Sequence, residues 1–145
     1  MIHILFVSDE WVMLNVARSF LEVHEPDFRV DIAVSAEEAL LKHLEEEYDV
    51  IVSDYEMSSM NGLEFLIELR KTDSETPFVI CIGRELEEVA VEAFRCGADG
   101  CLRWDRDPKT QCAMLANSIR EAAAHRSDSA KTAPWPTPTP RDIIR

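Results

Sequence analysis

Three short apolar runs set the terms on which this chain can fold. They are residues 2–7, the triplet Val50, Ile51 and Val52, and residues 78–82. Each is too short to stand as a helix and is rich in β-branched residues, the composition of a strand buried on both faces. The segments between them carry apolar residues at helical spacing. Five strands alternating with five helices call for a parallel sheet covered on both sides, and right-handed crossovers leave few topologies.

In chain order, strand one (2–7) is closed by Ser8-Asp9-Glu10. Helix one is expected over 11–24, with Val12, Val16, Phe20 and Val23 as its buried face, and Pro26-Asp27 stops it. Over 28–34, Phe28, Val30, Ile32 and Val34 alternate with Arg29, Asp31 and Ala33, the pattern of an edge strand exposed on one face. Ser35 and Glu38 have the spacing of a capping box and open helix two, which runs to about Glu46. Strand three ends in Asp54. The turn Ser58-Ser59-Met60-Asn61-Gly62 then leads into helix three, 62–71, with Leu63, Leu66 and Leu69 inward. Strand four, 78–82, turns at Gly83-Arg84 into helix four, 85–96, which buries Leu86, Val89, Ala90, Ala93 and Phe94. Gly97 suits the left-handed cap of that helix.

Strand five is expected over 101–104. Asp107 and Pro108 read as the N-cap and first residue of helix five, which carries Cys112, Leu115 and Ile119 inward and ends near Arg126. The remainder holds Pro134, Pro136, Pro138 and Pro140 and is expected to be extended. The chain thus divides into a folded domain, 1–126, and a proline-rich linker or tail, 127–145, that leads to a further module.

The formal net charge of −13 argues against a nucleic-acid or anionic-membrane surface, which needs clustered Lys and Arg. It suits a site that gathers carboxylates around a cation. No apolar run approaches the roughly 20 residues of a membrane span, and the N-terminus lacks the features of a signal peptide. Cys81, Cys96, Cys101 and Cys112 form no C-x-x-C pair and read as buried, reduced thiols of a cytoplasmic protein. A metal set of Cys96, Cys101 and a histidine is the less favoured alternative. His3, His24, His43 and His125 show no ligand spacing.

The chemistry centres on Asp54. A carboxylate at the carboxyl end of a central strand lies where open α/β sheets bind their ligands. Asp9 ends strand one in the same way, so neighbouring strands one and three would bring the two acids to one end of the sheet.

These landmarks carry a resemblance. Val7-Ser8-Asp9-Glu10, the segment from Asp54-Tyr55-Glu56-Met57 to Asn61-Gly62, Gly83-Arg84 after strand four, and Gly97-Ala98-Asp99-Gly100 before strand five together resemble the CheY-like receiver domain of two-component response regulators. The resemblance covers residues 2–126. It implies a doubly wound, five-stranded parallel sheet of order 2-1-3-4-5 with five helices, in the flavodoxin/CheY-like class. It implies that Asp54 is the phosphoacceptor of a phosphorelay, charged by a sensor histidine kinase. Mg²⁺ would be held by Asp9, Asp54 and the backbone carbonyl of Glu56, with Ser8 and Glu10 contributing through water. Further implied partners are an output or kinase module in the same longer chain and, on the faces of helices four and five, a second copy. Such a domain signals and is not an enzyme in its own right.

Several positions depart from the family pattern. Ser8 stands where a first acid is usual, and Ser58 where the family has proline. Ile82 replaces the hydroxyl residue that binds the phosphoryl group, Trp104 replaces the lysine paired with it, and Cys101 replaces the rotating aromatic. Arg106, beyond strand five, is the best-placed substitute cation, since Arg103 alternates to the other face. Trp104 then reads as an apolar cover over the pocket, and Glu10 as a first-turn acid favoured by the helix dipole. The altered pocket supports an alternative, a pseudo-receiver that signals by protein contact without phosphorylation. The Asp54-Tyr55-Glu56 spacing is also similar to that of haloacid-dehalogenase-like phosphatases, with Asp54 as nucleophile and Glu56 as acid-base, but that family needs a later lysine. A flavin site is disfavoured because acids at Asp9 and Glu10 repel phosphate.

Overall fold

The computed structural model describes residues 1–83, 87–104 and 107–131. The apolar runs β1 (Ile2–Val7), β3 (Val50–Asp54) and β4 (Phe78–Ile82) take the centre of one sheet. The flanks are β2 (Phe28–Ala33) and β5 (Gly100–Arg103), giving the order β2-β1-β3-β4-β5 with every neighbouring pair parallel. The expected fold class and strand order are therefore those observed.

Helices α1 (Trp11–His24) and α5 (Pro108–Lys131) cover one face of the sheet. There Leu14, Leu21, Leu115 and Ile119 pack on Ile4, Phe6, Val52 and Val79. Helices α2 (Ala36–Glu45), α3 (Gly62–Arg70) and α4 (Glu87–Arg95) cover the other. There Ala39, Phe65, Leu66 and Ala93 meet Leu5, Val7, Ile51 and Ile80. Successive residues of the central strands thus supply opposite cores, as the period of a strand requires.

The helix ends follow their sequence signals. The Ser35 hydroxyl accepts from the Glu38 amide at 3.1 Å. Asn61 and Glu64 close a reciprocal capping box at the start of α3, so the expected turn ends in a helix cap. Gly97 has φ +106, the left-handed value expected after α4.

Several local expectations are corrected. In α1 the proposed inward residues Val12, Val16 and Val23 are 63%, 58% and 74% exposed, and only Phe20 packs on the core margin. The buried stripe is Leu14, Ala17 and Leu21. Helix α1 offers two apolar stripes at the same spacing, and the sheet takes the one where leucines flank a small alanine. In α3, Phe65 joins Leu66 and Leu69 in the core while Leu63 stays half-buried. In α4, Ala93 is buried and Val89, Ala90 and Phe94 are half-buried. Glu85, Leu86, Arg84 and Arg106 lie outside the described residues. Cys112, Leu115 and Ile119 are buried as expected. Helix α5 runs on to Lys131, past the expected end near Arg126, and no proline interrupts it between Pro108 and Pro134.

The four cysteines are free, but only Cys81 and Cys112 are buried. Among the described residues Cys96 and Cys101 lie in no group of three ligating side chains. Among the described residues the one such group within 4.8 Å is His3, Asp31 and Glu46, at the opposite end of β1 from Ser8. Within it His3 Nε2 is hydrogen-bonded to Asp31 at 2.9 Å, and the Tyr48 hydroxyl donates to the same carboxylate. No helix among the described residues is long and apolar enough to cross a membrane.

Candidate functional site

The parallel register brings the carboxyl ends of four strands together. Asp54 is the last residue of β3 and pairs with Cys81. Ser8 follows β1, whose Val7 pairs with Ser53. Trp104 follows β5, and its amide donates to the Ile82 carbonyl at the end of β4 at 2.8 Å. These ends open into a cleft of about 780 Å³, whose lining includes Asp9, Glu10, Asp54, Glu56, Ser58 and Trp104. Asp9, two residues past β1, and Asp54 at the end of β3 therefore line one cleft.

Both oxygens of the Asp54 carboxylate are engaged. Trp104 Nε1–H donates to Oδ1 at 2.6 Å, and Ser8 Oγ donates to Oδ2 at 3.1 Å. The Ser8 oxygen accepts in turn from the Glu10 amide at 3.2 Å, and Ser8 is fully buried. Burial pushes the Asp54 carboxyl up to about 6, against the two donors that favour its charged form and with the aid of the like charges of Glu10 and Asp9.

Asp9 is held from the β3–α3 loop. Its Oδ2 accepts from the Ser58 amide at 2.8 Å and from the Ser58 hydroxyl at 2.9 Å. That loop is folded tightly under Asp54. The Gly62 amide donates to the Tyr55 carbonyl at 2.8 Å, and a Cβ at residue 62 would overlap the Asp54 backbone carbonyl. Glycine is required there by close approach of backbone to backbone.

The altered positions are now placed. Ile82 is 4% exposed and offers no hydrogen-bonding side chain at the end of β4. Cys101 packs half-buried against the α2–α4 side of the core. Arg103 is exposed. Trp104 is more than an apolar cover, since its indole edge binds the central carboxylate. The sequence signal for this was available, a nitrogen donor at the residue that follows β5. Ser58 as the partner of Asp9 had no sequence signal.

The family profile described as "Response regulator receiver domain" matches residues 4–116. The chain belongs to that family. The receiver domain is 33% identical over 126 residues to the uncharacterized transcriptional regulatory protein YkoG of Bacillus subtilis, covering 87% of this chain and 54% of that one. It is 28% identical over 120 residues to the transcriptional regulatory protein ResD of the same organism, covering 83% and 49%. The chain thus spans about half the length of these relatives. Among solved structures, the chemotaxis response regulator CheY4 of Vibrio cholerae matches with TM-score 0.69 and 28% identity, over 81% of this chain and 98% of that one. A CheY-like receiver from Methanospirillum hungatei matches with TM-score 0.77 and 24% identity, over 89% and 98%, and shares the fold. The response regulator TrrA of Thermotoga maritima, solved in complex with Mg²⁺ and BeF, matches with TM-score 0.67 and 24% identity over 81% and 99%.

The receiver's donor set fits a hard divalent cation. Four acids line the cleft and no Lys or Arg does among the described residues. These side chains offer oxygens, the ligand atoms that Mg²⁺ takes, and a cation would offset the charges of Glu10 and Asp9 that add to burial in raising Asp54.

Proposed function

We propose that this receiver domain accepts a phosphoryl group on Asp54 from the phosphohistidine of a sensor histidine kinase. The observation that carries this reading is the convergence of Asp54, Asp9, Glu10 and Glu56 on one cleft at the carboxyl end of the sheet. In the transfer, an oxygen of ionised Asp54 attacks phosphorus. The new O–P bond forms as the P–N bond breaks, and the bonding pair leaves with the imidazole nitrogen. A carboxyl at about 6 is mostly ionised at neutral pH and is ready as the nucleophile. Asp9, Asp54 and the backbone carbonyl of Glu56 would hold Mg²⁺, which supplies the positive charge that lets a carboxylate and a phosphoryl dianion approach. Ser8 orients Asp54 and Ser58 orients Asp9 for that role.

The transcriptional regulators it resembles extend well beyond the matched region, which is 54% and 49% of their length. We therefore read the domain as the input half of a longer cytoplasmic protein whose output module follows the proline-rich segment. A second reading, contact signalling without phosphorylation, is favoured by Ile82 and Trp104, which leave β4 and β5 without the usual hydroxyl and ammonium.

Incubation with acetyl phosphate and Mg²⁺, followed by intact-mass spectrometry, separates the two. Native chain labelled and Asp54→Asn unlabelled supports phosphoacceptance. Absence of label in both leaves the contact reading.

A further inference from the structure

One side chain touches the reacting carboxylate and has no part in the proposed chemistry. Trp104 is pinned at three places. Its indole Nε1–H donates to Asp54 Oδ1 at 2.6 Å. Its ring stacks on the buried Phe6 ring, with centroids 6.5 Å apart and planes inclined by 14°. Its backbone amide is tied to Ile82 at 2.8 Å.

The indole is a neutral donor, and its acceptor carries charge only while Asp54 is an unmodified carboxylate. Once either oxygen bonds phosphorus, the carboxylate becomes an acyl phosphate. The charge-assisted bond to Trp104 then falls to the strength of a neutral one. An ammonium in this place would gain a dianion to pair with, whereas an indole gains no ion pair. Trp104 therefore stabilises free Asp54 more than its phosphorylated product.

We infer that Trp104 is the gate on Asp54. Phosphoryl transfer to Oδ1 proceeds when the indole N–H releases that oxygen, and the loosened indole is the signal that the site has been charged. The indole keeps its proton throughout, and the only bonds exchanged are the O–P bond formed at Asp54 and the P–N bond broken in the donor. This device suits a chain in which β4 ends in Ile82 and has no hydroxyl to draw toward the phosphoryl group. Trp104 acts here as a positioning residue. The inference rests on the reading of Asp54 as phosphoacceptor, and the test below separates the two.

The experiment compares the rate of acetyl phosphate labelling, in Mg²⁺, of the native chain and of Trp104→Phe, which keeps a ring on Phe6 and removes the donor. Trp104→Phe is expected to label on the order of tenfold faster. If the native chain labels and Trp104→Phe labels no faster, the gate is wrong and the phosphoacceptor stands. If neither labels, the phosphoacceptor reading fails and the gate falls with it. A second measurement needs no Trp104 variant to label. The indole N–H proton resonance of Trp104, assigned by its loss in Trp104→Phe among the three tryptophans, should move in Asp54→Asn and when beryllofluoride is added with Mg²⁺. A resonance unmoved by both overturns the inference.

Discussion

Ser58 donates twice to one oxygen of Asp9, through its backbone amide at 2.8 Å and its hydroxyl at 2.9 Å. Proline, which the family pattern has at this position, lacks both donors. The departure therefore adds a brace to the acid it faces, and Asp9 is oriented from a loop 49 positions away. Ligand carboxylates depend on such partners for orientation. Ser58→Ala keeps the amide and loses the hydroxyl, so with Asp9 in the proposed role of Mg²⁺ ligand it should weaken that binding by roughly tenfold. Isothermal titration with Mg²⁺ checks this, and an unchanged affinity would show that Asp9 needs no brace.

The Asp54 carboxyl, raised to about 6 from 3.8, sets a pH dependence of stability. The folded state holds this proton more tightly than the unfolded chain does. Its contribution is fully present below about pH 4 and is lost as pH rises through 6. Above pH 7 the ionised group costs the fold about 3 kcal/mol. Asp54→Asn removes that cost, and its amide can still accept from Trp104. Thermal melts should show the variant more stable than the native chain at pH 7.5 and about equal at pH 4. A loss of stability of similar size at both values would contradict the account.

The inward face of α1 can be tested directly. Leu14 is fully buried, so Leu14→Ala should cost about 2–5 kcal/mol in urea unfolding. Val16 is 58% exposed, so Val16→Ala should stay within about 0.5 kcal/mol of native. Equal losses would restore the face that the periodicity of Val12, Val16 and Val23 suggested.

Gly62 supports Asp54 from below. Gly62→Ala forces a methyl group against the Asp54 carbonyl, and the backbone on one side must shift. Overpacking of this kind should cost about 1–3 kcal/mol. It should also slow acetyl phosphate labelling of Asp54. A variant with native stability and native labelling would mean that the loop yields without disturbing the site.

The elements legible in the sequence were those whose signals are local. Residues 50–52 and 78–82 are apolar without alternation, and only a strand covered on both sides satisfies that. Asp54 at the end of one such run pointed to the cleft it lines, because ligands of open α/β sheets lie beyond the carboxyl ends of strands. The cap at Ser35 and the left-handed Gly97 are likewise set within a few residues. The face of α1 was not legible, since its two apolar stripes share one spacing and differ only in what lies opposite.

By itself, then, the sequence determined the fold class, the order of elements and which acid ends the central strand. Those follow from periodicity and from short-range steric and hydrogen-bonding rules. Only the tertiary structure decided that Trp104 binds Asp54 and that Ser58 binds Asp9, contacts that span 50 and 49 positions. The physical reason is that such bonds depend on sheet register and loop path. Those are set by the packing of the whole core, and no local pattern of residues encodes them.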